Sequence, residues 1–158
     1  YIMWVQNLTE RYQVAARYDR YDPNVDVAHD QYERWNVAAH WFYQGLTGIT
    51  PDVAGPGFKA IVLRPQPVDG LAWAEATHES IRGPIKSRWE RRGDRLVLTV
   101  AIPANTSATV SVPSRDGSAV SEGGAAAESR PGVTFLRREA DRADYRIESG
   151  AYVFESRW

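Results

Sequence analysis

The sequence contains no cysteine, one methionine and three histidines among its 158 residues. Without cysteine, neither a disulfide framework nor a thiolate metal site can form. No apolar run approaches the roughly 20 residues that a membrane-spanning helix needs, and the first residues lack the basic-then-apolar pattern of a secretory signal. His29, His40 and His78 show no ligand spacing. We therefore expect no metal, no cofactor and no membrane partner.

An excess of charge of one sign is also missing. Nineteen Lys and Arg balance 20 Asp and Glu, which gives a formal net charge of −1. A nucleic-acid binder would normally carry a basic face, so the totals exclude nucleic acid from the expected partners. The 43% hydrophobic and 25% charged content is typical of a globular chain. Bacterial cytoplasm, periplasm and secretion all stay open as locations.

The apolar spacing before about residue 50 is helical. Steps of three and four residues separate the members of two series, which are Tyr1, Val5, Leu8, Tyr12 and Ala15, and Tyr32, Trp35, Ala39, Phe42, Leu46 and Ile49. This period predicts two amphipathic helices. Turn residues 21–24 separate them, and Gly48 is a plausible left-handed stop after the second.

After residue 50 the period becomes two. Alternating apolar positions include Leu96, Leu98, Val100 and Ile102, then Ala108, Val110 and Val112, and later Val133 with Phe135, Tyr145 with Ile147 and Tyr152 with Phe154. Turn sequences such as Arg92-Gly93-Asp94 separate these stretches. Several short strands at this spacing predict an antiparallel sandwich.

The sequence thus predicts an α+β chain with two parts. Residues 1–50 are expected to form a helical segment and residues 51–158 a jelly-roll-like antiparallel β-sandwich. Two helices cannot hide both of their apolar faces from each other. The remaining apolar surface is expected to pack on the sandwich, on a second copy of the chain, or on a barrel that precedes it.

Several motifs around and after the junction occur in order at fitting distances. They are Gly48-Ile49, Asp52, Pro56-Gly57-Phe58-Lys59, Arg64-Pro65-Gln66-Pro67, Ile102-Pro103-Ala104-Asn105-Thr106, and Ser149-Gly150 with Tyr152 and Phe154. This set resembles the passage from catalytic barrel to C-terminal sandwich in bacterial α-L-rhamnosidases, and the resemblance spans about residues 37–154. The motifs themselves are turns and strand ends, so they supply no catalytic group.

The resemblance implies an inverting glycoside hydrolase with an (α/α)6 barrel, acting on rhamnose-containing glycosides or polysaccharides. Inversion needs one carboxylic acid and one carboxylate that activates water. In this family the acid lies far upstream, and the base belongs to a Trp-Glu-Arg-Trp-like stretch. Thr9-Glu10-Arg11-Tyr12 is its nearest counterpart here, which makes Glu10 the candidate base. His29, Trp35 and His40 are the candidate substrate-binding residues.

Other readings of the same residues stay open. Glu10 with Arg11 also fits a solvated helix face, and Trp35 lies on a helical stripe that favours packing. With the upstream acid missing, the 158 residues are expected to be inactive by themselves. The alternative function is a non-catalytic carbohydrate-binding or scaffolding sandwich module. Self-association through the first 36 residues is a third possibility.

Overall fold

The computed structural model describes residues 2–9, 12–17 and 43–158, the first two ranges as backbone only. The described strands are β1 (Ile2–Thr9), β2 (Tyr12–Arg17), β3 (Ile49–Pro51), β4 (Ala60–Leu63), β5 (Trp73–Ser80), β6 (Gly83–Arg92), β7 (Arg95–Pro113), β8 (Ser121–Glu122), β9 (Ala125–Ala126), β10 (Val133–Arg138) and β11 (Arg142–Arg157). Short helical turns lie at Tyr43–Thr47, Arg115–Gly117 and Ala127–Ser129. The described part is therefore mostly β-structure with little helix.

The two longest strands, β7 and β11, run through both layers of the fold. They pair antiparallel from Arg95 opposite Arg157 to Pro113 opposite Arg142. Residues 95–102 of β7 and 150–157 of β11 belong to layer 1, whose order is β2-β1-β5-β6-β7-β11-β8-β9. The other halves of the two strands belong to layer 2, in which β4 pairs with β7, β3 with β4, and β10 with β11.

The chain changes layer at a polar bend in β7. Glu148 pairs with Ser107 and Gly150 with Ile102, so residues 103–106 of β7 have no paired partner on β11 and form a bulge. Within the bend, Asn105 has a positive φ of 58° and the Thr106 hydroxyl donates to the Pro103 carbonyl at 2.6 Å. Such bends let one strand serve two sheets.

The inner faces of the two layers share one apolar core. Alternate residues of the long strands point into it, among them Leu96, Leu98, Val100, Val110, Val112, Tyr145, Ile147 and Phe154. Trp89 of β6 and Ile61 of β4 are fully buried in the same cluster. The period-two pattern after residue 50 is confirmed, and so is the antiparallel sandwich, with one parallel pair between β4 and β7.

The predicted N-terminal helix is wrong where the structure describes it. Residues 2–9 and 12–17 are strands, paired from Ile2 opposite Arg17 to Thr9 opposite Tyr12, and β1 also pairs with β5 through Met3 and Trp4. Short apolar runs fit the helical and the extended period equally, so their periodicity does not decide between the two. Here the edge of β5 offers β1 backbone partners, and tertiary pairing overrides the helical spacing.

The second predicted helix is described only at its end. Residues 43–47 form a helical turn, residue 48 ends it, and Ile49 enters β3. The rest of that helix lies outside the described residues. The division of the chain at residue 50 stays a prediction.

Candidate functional site

The junction where the chain enters the sandwich is held by two buried side chains of β6. The Trp89 indole Nε1 donates to the Leu46 carbonyl at 2.7 Å, and the Ser87 hydroxyl donates to the Thr47 carbonyl at 2.8 Å. Trp89, Ser87 and Thr47 are fully buried. Hydrogen bonds in such a dry environment are costly to break, so β6 fixes the position of the turn 43–47 on layer 1.

Gly48 brings this turn against the end of β4. Its φ is +73°, and a Cβ built on it would lie 2.1 Å from the Arg64 carbonyl carbon. The Arg64 amide donates to the Gly48 carbonyl at 3.0 Å, and the Gln66 amide to the Gly45 carbonyl at 3.2 Å. The junction is thus hydrogen-bonded to both layers.

An open groove of about 460 Å³ crosses the outer face of layer 2 beside the bend. Its floor carries the small side chains of Ala60, Ser107 and Thr109, which lie in register because β4 and β7 pair in parallel there. Small residues on neighbouring strands leave a trough between taller walls. The lining is completed by Asp52, Ala54, Gly55, Lys59, Ile61, Asn105, Thr106, Ala108 and Arg146.

The groove walls carry charge and contain no aromatic ring among the lining residues. Arg146, opposite Thr109 in the register, donates to the Ser107 hydroxyl at 3.5 Å. Lys59 stands on the opposite wall and is exposed. The Asp52 carboxylate accepts the Ala54 amide at 2.9 Å, which employs one of its oxygens within the turn.

A second polar cluster lies on the same outer face, farther from the bend. The Asp144 carboxylate accepts the Ser111 hydroxyl at 2.6 Å and Arg137 Nε at 2.8 Å. This hydrogen bond raises the pKa of Arg137, whereas burial lowers the pKa of the Arg142 guanidinium, which donates to the Pro65 carbonyl at 3.1 Å. These contacts tie β10, β11 and the end of β4 together, so the cluster has a structural role.

The outer face of layer 1 carries an ion-pair network without acid–base character. Arg88 lies 4.7 Å from the Trp73 ring centre and pairs with Glu75 at 3.0 Å and with Glu90 at 3.3 Å. Hydrogen bonds from Arg92 and Arg88 lower the pKa of Glu90. A general acid at neutral pH needs a raised carboxyl pKa, so Glu90 does not fit that role.

The site residues predicted from the sequence, Glu10, His29, Trp35 and His40, all lie outside the described residues. Along the sequence, the described residues on either side of Glu10 are Thr9 and Tyr12, which pair with each other. Within residues 2–9, 12–17 and 43–158, no cluster of three or more His, Asp or Glu is arranged to hold a metal ion. No helix in that part of the chain is long and apolar enough to span a bilayer.

Comparison with known proteins decides the family. The family model of the bacterial alpha-L-rhamnosidase C-terminal domain matches residues 48–127. The chain belongs to this family. The resemblance found in the motif order is therefore confirmed, and the matched range begins at the junction glycine and includes most of the groove.

Curated relatives of this rhamnosidase C-terminal domain are much longer than the chain. An Alpha-L-rhamnosidase of Streptomyces avermitilis is 30% identical over 143 residues, which are 87% of this chain and 13% of the relative. An Alpha-L-rhamnosidase of Formosa agariphila is 24% identical over 149 residues, which are 94% of this chain and 16% of the relative. The chain thus spans about one seventh of the length of these relatives.

Solved rhamnosidase structures share the fold of the domain. The alpha-L-rhamnosidase of Streptomyces avermitilis, solved with L-rhamnose, superposes with a TM-score of 0.67 at 30% identity, covering 78% of this chain and 11% of that one. The enzyme of Dictyoglomus thermophilum gives 0.68 at 25% identity, covering 78% and 14%. Neither comparison reaches beyond a small part of the larger enzymes.

Sequence reasoning missed the two anchors of the rhamnosidase junction, Ser87 and Trp89. A signal for them exists, because Ser87 lies between Ile85 and Trp89 on the core-facing positions of β6. A buried polar side chain requires a hydrogen-bond partner, so Ser87 indicates a contact to a backbone from elsewhere in the chain. The presence of Lys59 and Arg146 in one groove depends on the β4–β7–β11 register, which the sequence does not reveal.

Proposed function

We propose that the chain is the C-terminal part of an inverting α-L-rhamnosidase that removes terminal α-L-rhamnosyl units from glycosides or polysaccharides. The family match over residues 48–127 carries this proposal. The relatives named Alpha-L-rhamnosidase and the neighbour solved with L-rhamnose support the substrate class. In this proposal the 158 residues are inactive without the upstream catalytic barrel.

The proposed role of the sandwich, a jelly-roll-like domain, is to buttress the barrel end. Support comes from the junction, where Leu46 and Thr47 are bonded to β6 and Gly48 to the end of β4. A segment bonded to both layers cannot tilt without breaking buried hydrogen bonds. The sandwich would therefore fix the orientation of the segment that precedes residue 43.

Glu10 is the proposed general base, which takes a proton from the water that attacks the anomeric carbon. The acid that protonates the leaving oxygen is supplied by the upstream barrel, and inversion requires about 6.5–9.5 Å between the two carboxyl groups. His29, Trp35 and His40 are proposed to contact the sugar. The assignment of Glu10 rests on the motif resemblance around Thr9-Glu10-Arg11-Tyr12, and that of Trp35 on the affinity of aromatic faces for sugar rings.

The test uses the natural enzyme that contains this chain and an aryl α-L-rhamnoside. Glu10→Gln is expected to lower kcat about 10²- to 10⁴-fold, because positioned acid–base catalysis contributes that much. Glu128→Gln, an exposed carboxylate of the sandwich, is the matched control and should leave kcat unchanged. NMR of the first-formed rhamnose should show the inverted anomer. Normal kcat in Glu10→Gln would remove Glu10 from the mechanism, and a retained anomer would reject inversion.

A non-catalytic carbohydrate-binding module is the second candidate function. The groove on layer 2 favours this function. Most of its lining residues lie within the family match, and the groove is open among the described residues. Absence of rhamnose release by the natural protein, together with saccharide binding by the chain, would favour the module over the enzyme.

A further inference from the structure

The groove on the outer face of layer 2 has the chemistry of a ligand site. Its floor consists of Ala60, Ser107 and Thr109, all of which have small side chains. The floor offers two hydroxyl groups, and the exposed Asn105 adds an amide at the bend. Hydroxyl and amide groups at the base of a trough suit hydrogen bonding to a polar ligand.

The lining favours an anion over a neutral sugar. Neutral sugar rings are commonly bound against aromatic faces, and the lining holds none. Instead, Lys59 lines the groove from the β4 side and Arg146 from the β11 side, while Asp52 already accepts a hydrogen bond from the Ala54 amide. Two cations against one engaged carboxylate leave a net positive groove, and a guanidinium is well suited to bind a carboxylate or sulfate through two hydrogen bonds.

One wall of the groove is preorganised. The turn 52–55 is fixed by its own hydrogen bonds, and Gly55 packs so closely that a Cβ there would lie 2.4 Å from the Ala60 amide nitrogen. On the β11 side, the guanidinium of the exposed Arg146 makes a long contact of 3.5 Å to the Ser107 hydroxyl, which brings it beside the floor.

We propose that this groove binds an acidic saccharide unit, with Lys59 and Arg146 holding its carboxylate or sulfate and the floor hydroxyls meeting its ring oxygens. The anion follows from the groove itself. That the ligand is a saccharide rests on the proposed function, in which the enzyme acts on rhamnose-containing polymers. The groove would then hold a charged neighbour of the rhamnosyl unit that is cleaved.

The test is a titration of the 158-residue chain, followed by NMR chemical-shift changes. The probes are a trigalacturonate, the uncharged galactose trimer, a sulfated galactose oligomer and inorganic sulfate. We expect binding of the charged oligomers at millimolar concentration, at least about tenfold weaker binding of the uncharged trimer, and loss of most affinity at about 0.5 M NaCl, because salt screens exposed charges. The carboxylated and sulfated arms identify which anion the groove prefers.

Two kinds of variant locate the binding. The double variant Lys59→Gln/Arg146→Gln should weaken trigalacturonate binding about tenfold or more, since removal of two surface charge contacts amounts to about 1.4 kcal/mol or more, the equivalent of a factor of ten. The matched control Lys86→Gln/Arg157→Gln removes one Lys and one Arg, both exposed, from layer 1. Thr109→Trp fills the floor with the charges intact and should also abolish binding.

Four outcomes would overturn the proposal. They are failure of the charged oligomers to bind, equal affinity for the uncharged trimer, equal losses in the groove and control variants, and binding of inorganic sulfate as tightly as the oligomers. Hydrolysis of an uncharged aryl rhamnoside by the unsubstituted natural enzyme is measured separately. Failure of rhamnose release alone therefore rejects the enzyme function while the binding result stands.

Discussion

At the scale of single residues, the junction depends on a position that excludes any side chain. Gly48 has a left-handed backbone conformation. A Cβ at this position would lie 2.1 Å from the carbonyl carbon of Arg64, which directly follows β4. A larger residue there must both strain its own backbone and push Arg64 and Pro65 away. Because these two costs add, the position matters more than other glycines with positive φ.

Gly48→Ala is expected to lower the free energy of unfolding by at least about 3 kcal/mol, from backbone strain and from overpacking together. Gly70→Ala is the control, because Gly70 has a φ of +84° and nothing within 4 Å of a built Cβ. It should cost only about 1 kcal/mol. Urea unfolding followed by Trp fluorescence measures both, and equal losses would contradict the close contact described at Gly48.

His78 gives the stability of the domain a pH dependence. Its ring lies 4.3 Å from the Phe58 ring, and burial lowers its pKa against the opposing attraction of Glu79. The unfolded chain, with an ordinary pKa near 6.5, then binds more protons than the native state over the interval below that value. The free energy of unfolding that depends on neutral His78 is therefore fully present above about pH 6.5, and it decreases as the pH falls towards the pKa of His78 in the native state.

Measurement of the urea midpoint at about pH 7.5 and about pH 5.5 tests this effect. The urea midpoint of the natural chain should be lower at the lower pH. In His78→Gln this decrease should be smaller, because the titrating ring is gone. Lowered carboxylate pKa values such as that of Glu90 act at lower pH and are common to both proteins. The same slope in His78→Gln as in the natural chain would exclude His78 as its source.

At the scale of elements, the bend in β7 depends on Asn105, which has a φ of 58°. Asparagine tolerates this conformation, whereas a β-branched residue does not. Asn105→Val is expected to destabilise the chain by about 1–2 kcal/mol in thermal unfolding, and Asn105→Gly should be close to neutral. If Asn105→Val left the thermal stability unchanged, the bend would result only from the mismatch in strand pairing between β7 and β11.

The elements also show how far the sequence predicts this fold. The long strands after residue 50 could be predicted because they alternate apolar and polar residues, as in Leu96 to Ile102, and only the extended period fits them. Residues 2–9 could not, because their apolar residues do not alternate and the strand they pair with, β5, is distant in sequence. Pairing of that kind depends on tertiary contacts, which a local pattern does not contain.

The same division applies to the candidate site. Gly48 and the turn at Pro103–Thr106 were apparent as motifs, because special backbone conformations restrict the residue type. The groove was not, since Lys59 and Arg146 come together only through the order β4-β7-β11. Glu10, His29, Trp35 and His40 stay predictions, and the Glu10→Gln variant described above tests the first of them.

At the scale of the whole molecule, layers 1 and 2 share one core and two strands. The core cluster runs from Leu46 to Phe154 and takes residues from both layers, and the two longest strands belong to each. Loss of either layer would expose the inner face of the other. Self-association stays a prediction, although its original reason, unpaired helical faces, does not apply to residues 2–9 and 12–17, which are strands.

The shared strands also determine how quickly this architecture can assemble. The β7–β11 register is that of one long hairpin whose innermost pair is Pro113 with Arg142, so the connection of residues 114–141 must close before the ladder can grow towards Arg95 and Arg157. Each doubling of such a connection adds only about 0.6 kcal/mol of entropy cost, but the parallel β4–β7 contact spans a still larger separation. We therefore expect closure of these distant contacts to slow folding, and the apolar face that β7 shares with β11 to stay exposed on a newly synthesised chain until β11 has emerged.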